Sequence, residues 1–435
     1  MNRYFRILFM LAGDVILLYA SLFITLKIRF LSSFDIALFE KHLLPFTVIY
    51  LFWFLIFYVL DLYSLKLARN KLEFYKNSFT AISMSVFISI LFFYTVPYFK
   101  LTPKTILILN SLIFLIFFYT WRYIFTKTIL SFPVETILLV GENNDSKELV
   151  KIFSENPQLG YKTIMIKDAG EITDDLIKKV EIILPVFCGD KHIKLDHGLF
   201  ERLFLKKGFF DFMEFFETTV HRIPLDSLEF NWMLEKFKKK RKEYDILQRT
   251  IDVTVSLILL IILSPLFLII AFLIILINGA PIIYKQRRTG KDNQPFDLIK
   301  FRTMSKDAEK NGAQFAKIYD QRVIPLGRFL RGWYLDELPQ LINILKGEMS
   351  FVGPRPERPE FINEFSRNIK FYNLRSLIQP GLTGWAQLHY HYADSIEATR
   401  EKLSYDLYYL KNRSIVLDSI IILKTMKNII FRKGQ

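Results

Sequence analysis

Four apolar runs crowd into the first 130 residues, at residues 4–28, 43–62, 79–98 and 105–125. Each approaches the ~20 residues a helix needs to cross the hydrocarbon core of a bilayer, so a membrane-spanning helical domain is the first expectation. Composition agrees: apolar residues make up 51% of the 435, with 43 Phe, more than a soluble core requires. Tyr and Trp fall near the ends of these runs (Tyr50, Trp53, Tyr58, Tyr98, Trp121, Tyr123), as interfacial belts do. Basic residues gather at Lys66, Arg69, Lys71 and Lys76 and at Arg122 and Lys127 after the fourth run. The positive-inside bias then places the N-terminus, the middle loop and everything after residue 126 in the cytoplasm. The first run is too long for a signal peptide and shows no small-residue cleavage pattern. Asp14 inside it is costly in lipid, and a helix–helix hydrogen bond accounts for it better than a functional site does.

A formal net charge of +15 suits nucleic acid, anionic lipid or phosphate-bearing substrates. With this many apolar runs, lipid and phosphate outrank nucleic acid. The single Cys188 excludes a disulfide framework and a Cys-based zinc site.

Beyond the runs, VETILLVG at residues 134–141 reads as a buried strand. Residues 146–153 read as a helix, 161–166 as a strand, 174–180 as a helix and 182–186 as a strand. This alternation predicts a small parallel α/β unit. A dinucleotide site would place G-x-G-x-x-G after the first strand, but the chain has GENNDSKE. Two glycines are missing, so the unit is read as Rossmann-like with a degenerate nucleotide loop. His192 and His197, near Asp190 and Asp196, read better as scattered loop residues than as metal ligands. The aromatic residues 209–216 read as a packing surface.

A fifth apolar run, residues 251–277, has basic flanks on both sides: Lys236, Lys238, Lys239, Lys240, Arg241, Lys242 and Arg249 before it, Lys285, Arg287, Arg288, Lys291, Lys300 and Arg302 after it. A straight span would carry one cluster outside. Ser264-Pro265 stands mid-run, where proline removes a donor and bends a helix. A re-entrant helix over 249–278 that enters the cytoplasmic leaflet, breaks and returns meets both observations.

Residues 281–304, PIIYKQRRTGKDNQPFDLIKFRTM, predict a hairpin around a Gly-Lys-Asp-Asn turn. Residues 333–356, WYLDELPQLINILKGEMSFVGPRP, pair two adjacent carboxylates with a helix that Gly347 stops. Pro339 belongs in a first turn, which puts Asp336 and Glu337 at or just before the helix start. An aspartate there can be a nucleophile, a metal ligand or an ordinary cap. Arg331, Arg355 and Arg358 flank the pair, and guanidinium forks suit phosphate oxygens. PGLTGWAQ follows at residues 380–387. Carboxylates, arginines and a membrane entry together point to phosphoryl transfer at a bilayer surface, with a divalent ion on the phosphates.

QRRTG…FDLIKFRTM, LDELPQLINILKGEMSFVGPRP and PGLTGWAQ, in that order, resemble the motifs of the bacterial sugar transferases, monotopic polyprenyl-phosphate hexose-1-phosphate transferases. The likeness covers about residues 230–434. The N-terminal half is similar to the extended, exopolysaccharide-initiating members, and FFETTVHRIPLDSLEFNWML resembles their linker. The resemblance implies that Asp336 attacks the sugar-bearing phosphate of a UDP-sugar, forming an aspartyl phosphosugar and UMP. Glu337 matches the carboxylate that assists undecaprenyl phosphate in the second step. Lys300, Arg331 and Arg355 match basic residues around the phosphates, and Arg302 and Arg358 join them as phosphate-binding candidates. Ser264-Pro265 matches the helix break, and Mg²⁺ is implied, with Asp336 as ligand. One departure is Asn293, where the family hairpin has a second glycine; asparagine tolerates the left-handed conformation.

The expectation is therefore a membrane protein of α plus α/β class. It has a four-helix transmembrane domain at 1–128, a Rossmann-like cytoplasmic domain at 129–228 and a catalytic domain at 229–435, in a bacterial inner membrane facing the cytoplasm. Its partners would be a UDP-sugar, undecaprenyl phosphate, membrane lipid and a possible second copy of the chain, with no nucleic acid. A nucleotide-sugar dehydratase would need a complete NAD loop and a second large Rossmann domain. A lipid-binding scaffold would leave Asp336 as a cap. The final helix, over residues 415–431, is read either as interfacial, with Lys424, Lys427 and Arg432 toward head groups, or as buried.

Overall fold

The computed structural model describes residues 3–64, 71–96, 104–130, 134–186, 208–237, 241–305, 322–390 and 395–431. Cys188, His192, His197, Asp190, Asp196, Lys66, Arg69, Tyr98, Lys238, Lys239, Lys240 and Arg432 lie outside them. The chain forms two compact units, Met1–Asp211 and Phe212–Gln435.

The first unit begins with α1 (Arg3–Phe30), α2 (Ile36–Val59), α3 (Lys71–Thr95) and α4 (Lys104–Leu130). All four are long and apolar enough to cross a membrane. Large apolar side chains such as Leu8, Ile16, Leu51, Phe79, Phe87 and Ile116 face outward. Polar ones are buried between the helices, where hydrogen bonds and close packing hold a bundle whose surroundings are as apolar as its core. Ser21 donates to Asn110 at 2.8 Å, and the Trp53 indole donates to Ser89 at 2.9 Å.

Two sequence expectations need correcting here. Tyr50 and Trp53 are not belt residues: both are fully buried in the bundle, holding polar partners on neighbouring helices. Nor is Arg122 a loop cation. It lies within α4, buried, 2.6 Å from Asp14 of α1, so the intramembrane carboxylate is answered by an ion pair across helices. The Arg122 guanidinium also lies over the Phe118 ring, 4.8 Å from its centre.

The unit continues through β1 (Glu135–Val140), α5 (Asn144–Glu155), β2 (Tyr161–Ile166), α6 (Asp174–Lys179), β3 (Ile182–Pro185) and β4 (Gly208–Phe209). The predicted strands and helices are all present, and β4 is an addition. The strands form a parallel sheet in the order β2-β1-β3-β4. Leu138, Val140, Ile166, Ile177 and Ile183 close its core. At the start of α5, Asn143 and Ser146 cap each other's amides reciprocally, at 2.8 and 2.9 Å. This end of the helix is satisfied by its own side chains. The Arg6 side chain of α1 rests on Gly160, so closely that a Cβ there would meet it at 2.3 Å.

The second unit starts with α7 (Phe212–Val220) and α8 (Phe230–Phe237). Next come α9 (Lys242–Ile262) and α10 (Ser264–Asn278), bent 61° from each other. The hairpin β5 (Ile283–Thr289) and β6 (Pro295–Phe301) is antiparallel, as predicted. Asp292 and Asn293 at its turn both have positive φ, 53° and 58°, so Asn293 does adopt the left-handed conformation. There follow α11 (Pro325–Gly332), α12 (Gln340–Lys346), β7 (Ser350–Val352), α13 (Pro359–Asn368), β8 (Gly381–Thr383), α14 (Trp385–His389), α15 (Ile396–Asn412) and α16 (Ile415–Ile430). One core joins α7, α13, α14, α15 and α16 through Met213, Ile223, Phe365, Trp385, Leu407 and Ile421. The segment expected to be a linker is thus part of this core. Trp385 is buried, its indole donating to the His221 carbonyl at 2.9 Å. Lys427 of α16 is buried as well, which removes it from any head-group face.

Candidate active site

The backbone sets up the carboxylate pair before any side chain does. After α11 the chain turns at Tyr334, a non-glycine residue in the left-handed region (φ 55°, ψ 19°). That conformation costs about 1–2 kcal/mol. Leu335–Glu337 then form a single 3₁₀ turn, and Pro339, at φ −62°, leads into α12. Asp336 and Glu337 therefore precede the helix, as the placement of Pro339 predicted. Gly347, with φ 85°, stops α12 in the left-handed conformation expected of it. Leu335 and Leu338, either side of the pair, pack with Ile270 and Ile274 of α10, tying the turn to the bent helices.

Three predicted cations converge on this turn. Lys300 of β6 donates to Glu337 Oε1 at 2.6 Å, and Arg355 donates to the same oxygen at 3.0 Å. Arg331 of α11 is anchored on Thr303 Oγ1 at 2.9 Å and acts electrostatically on Asp336. The register between Lys300 and the carboxylates is held by Asn343 of α12, fully buried. Its Oδ1 accepts from Ile299 N at 3.1 Å, and its Nδ2 donates to the Asp297 carbonyl at 2.8 Å.

The two carboxylates differ sharply. Burial pushes Glu337 up, but Lys300 and Arg355 outweigh it and hold the group at about 2. Asp336 is raised from its ordinary value by burial, which Lys300 only partly offsets while Glu337 adds to it. Among the described residues no hydrogen bond engages the Asp336 carboxylate, although it is only 6% exposed. One carboxylate is neutralised by fixed partners; its neighbour, in the same cationic field, has oxygens left for something else.

The other candidates lie elsewhere. Arg302 donates to the carbonyls of Asn278 and Gly279 at 2.8 and 2.6 Å, capping α10 rather than facing the pair. Arg358 stands at the start of α13, within electrostatic range of Arg288. Ser264 and Pro265 begin α10 at the bend, and the Ser264 hydroxyl donates to Ile261 O at 2.8 Å. Some flanking cations serve as caps too: Arg249 donates to the carbonyls of Ile344 and Leu345 at the end of α12, at 2.6 and 2.7 Å. On the face of α9 and α10 away from the site, Ile258, Ile261, Ile262, Leu268, Phe272 and Leu276 are exposed.

Sequence reasoning missed a second charged group beside the Gly-Pro-Arg-Pro turn. Glu357 is contacted by Lys402 at 2.6 Å, Arg288 at 3.8 Å and Arg375 at 4.0 Å, and Arg375 also holds Asp406 at 2.9 Å. Charge crowding in RPERPE was the available signal; nothing local in the sequence marks Arg375 or Lys402 as its partners. Beneath the turn, β7 and β8 pair in parallel, and Gly353 meets Gly381 so closely that a Cβ on Gly381 would lie 2.0 Å from Gly353 N. Only glycine admits that approach.

A family model for bacterial sugar transferases matches residues 243–432, the stretch that holds the bent helices, the carboxylate turn and its cations. The exopolysaccharide production protein ExoY of Sinorhizobium fredii is 37% identical over 205 residues, 44% of this chain and 88% of its own length. This chain belongs to that family. The UDP-N-acetylgalactosamine-undecaprenyl-phosphate N-acetylgalactosaminephosphotransferase of Aeromonas hydrophila is 40% identical over 214 residues, 49% of this chain and 50% of the relative. The undecaprenyl-phosphate glucose phosphotransferase of Komagataeibacter xylinus is 33% identical over 284 residues, 60% of this chain and 50% of the relative. The chain thus spans about half the length of these two relatives.

Proposed function

We propose that this family member is a phosphoglycosyl transferase, moving a hexose-1-phosphate from a UDP-sugar to undecaprenyl phosphate and so initiating the assembly of an exopolysaccharide. The observation that carries the reading is the division of labour in the carboxylate pair: Glu337 bound by Lys300 and Arg355, Asp336 beside it without a hydrogen bond among the described residues. The names of the relatives support the substrate class.

In the first step an Asp336 oxygen attacks the phosphorus that bears the sugar. The bond from that phosphorus to the bridging oxygen breaks, and the oxygen leaves with UMP. In the second, an oxygen of the lipid phosphate attacks the same phosphorus, and the bond to Asp336 breaks to restore the carboxylate. Lys300, Arg331 and Arg355 stabilise charge on the equatorial oxygens. A covalent route lets the soluble donor and the bulky lipid use one site in turn.

Among the described residues no three His, Cys, Asp or Glu side chains gather into a metal cage. Mg²⁺ needs none, because it is commonly held by one or two carboxylates together with substrate phosphates. Asp336 fits that role with the oxygen not used in attack. Bound there, the ion would neutralise the diphosphate of the donor.

The bent α9–α10 pair is read as a re-entrant membrane segment whose exposed apolar face lies in the cytoplasmic leaflet of the inner membrane. The parallel sheet of the first unit is read as a Rossmann-like domain that has lost its nucleotide loop, in keeping with the self-capped start of α5.

Membranes containing the protein, supplied with undecaprenyl phosphate, Mg²⁺ and a panel of UDP-sugars, are expected to release UMP with one of them. Asp336→Asn is expected to lower that release ~10³-fold or more while expression and membrane association persist. Release of UDP, or an active Asp336→Asn protein, rejects the mechanism.

A further inference from the structure

Arg355 reaches Glu337 from a loop, and its side chain is 39% exposed. A guanidinium that must meet a phosphate at a set distance needs a backbone that does not swing. The two prolines of the turn fix φ at Pro354 and Pro356, but they do not anchor the loop to anything. The anchoring comes from four consecutive carbonyls, each accepting a hydrogen bond from a different residue. Pro354 O accepts from Gly381 N at 2.9 Å and Glu357 O from Thr289 N at 2.9 Å. Between them, Arg355 O accepts from Arg375 at 2.9 Å and Pro356 O from Arg288 at 3.0 Å.

The two central anchors are guanidinium groups brought together from β5 and from the 3₁₀ segment Tyr372–Leu377. With Arg355 they place three like charges around one turn, which is repulsive unless compensated. Glu357 supplies the compensation from the turn itself. Its Oε1 accepts from Lys402 at 2.6 Å, and its carboxylate lies 3.8 Å from Arg288 and 4.0 Å from Arg375. Asp406 and the Tyr372 hydroxyl take the remaining faces of Arg375, at 2.9 and 3.0 Å. Gln286 Oε1 aligns Arg288 through two bonds of 3.0 and 2.6 Å. Although burial opposes ionisation, Lys402 and Arg375 hold Glu357 at about 2, so it is anionic at neutral pH.

We propose that Glu357 is a positioning residue: held by Lys402, it steadies Arg375 and Arg288 as they grip the carbonyls of Arg355 and Pro356, and thereby fixes the guanidinium that meets the sugar-bearing phosphate. The proposal rests on the assignment of Arg355 to the phosphates. Glu357 touches no substrate in this scheme. Its removal leaves three cations facing one another, relaxes the grip on two carbonyls and lets Arg355 wander. A displacement of about 1 Å at such a group costs on the order of a hundredfold in rate.

Two readouts on the full chain test this. In Glu357→Gln, the amides of Gly381 and Thr289, which donate to the carbonyls of Pro354 and Glu357, are expected to exchange hydrogen faster, a measurement that needs no turnover. In a cycle with Arg355→Ala, Glu357→Gln is expected to lower kcat/KM for UMP release about tenfold to a hundredfold in the Arg355 background. On Arg355→Ala it is expected to cost little more, because a residue that acts only through Arg355 has nothing left to position. Lys402→Arg should retain activity where Lys402→Met loses it. Gln286→Met, on the partly exposed hairpin, should give a milder form of the same non-additive pattern and serves if Glu357→Gln folds poorly. Unchanged exchange, or losses that add, overturns the positioning role. An Arg355→Ala protein of full activity overturns instead the assignment of Arg355, and the proposal with it.

Discussion

At the scale of single residues, the molecule sets acids of one type to different tasks by their surroundings. Glu357 lies at about 2, against an ordinary value of 4.5, because Lys402 and Arg375 outweigh its burial. A depressed carboxyl binds fewer protons folded than unfolded, so its stabilisation is complete above about pH 4.5 and is lost as pH falls toward 2. The linkage amounts to ~3 kcal/mol. Asp406, raised by burial, runs the opposite way and stabilises less as pH rises. The comparison is therefore between thermal unfolding of the wild type and of Glu357→Gln in detergent from pH 6 to pH 3. The gap between them should narrow as the pH falls; a constant gap would mean that Glu357 is not held ionised. Asp336, Glu337 and Arg355 stood out in the sequence because adjacent carboxylates, a first-turn proline and a Gly-Pro-Arg-Pro turn lie close together, whereas Lys300, 37 residues from Glu337, was picked out only by the family resemblance. The Glu357 partners were not legible: Arg375 and Lys402 reach it only through the packing of α15 and the 3₁₀ segment. Arg302 showed the converse, since a cation in a basic motif can serve the end of a helix as well as a substrate.

Among the elements, the bent pair has the most to lose from a single change. Pro265 begins α10, and the 61° bend lets Leu259, Leu260 and Leu263 pack under β6 and α12 while Ile270 and Ile274 pack under Phe301 and Leu330. Pro265→Ala restores a backbone donor and relaxes the bend, which should pull one arm from its cluster and lower transfer about tenfold or more. The re-entrant reading has its own check. With Cys188 replaced by serine, Lys242→Cys and Lys285→Cys should both resist an impermeant maleimide in intact cells and react after lysis. Labelling of either one from outside would make the pair a full span. The helices and strands of the first unit other than β4, the bent pair, the hairpin, α12 and α16 were legible from periodicity and turn chemistry, whereas β7, β8, α11, α13, α14 and α15 were not among the expectations. What periodicity could not reveal was which polar and aromatic side chains face inward: Trp53 and Arg122 have the composition of an interface and the burial of a core.

For the whole molecule, the division at Asp211 and Phe212 has a functional corollary. The family match at 243–432 lies entirely in the second unit, which has its own core. Expressed alone, residues 212–435 are expected to associate with membranes and to release UMP at a rate of the same order as the full chain, read by flotation and by the nucleotide assay. Failure to float would place the anchoring in the four N-terminal helices. Those helices carry a constraint of another kind, on the order in which they are made. Asp14 and Arg122 are 108 residues apart in the chain. At ~5–20 residues per second, roughly 5–20 s of synthesis separate the acid from its counterion. Through that interval the α1 carboxylate lacks its guanidinium partner, and the ion pair can close only when α4 arrives.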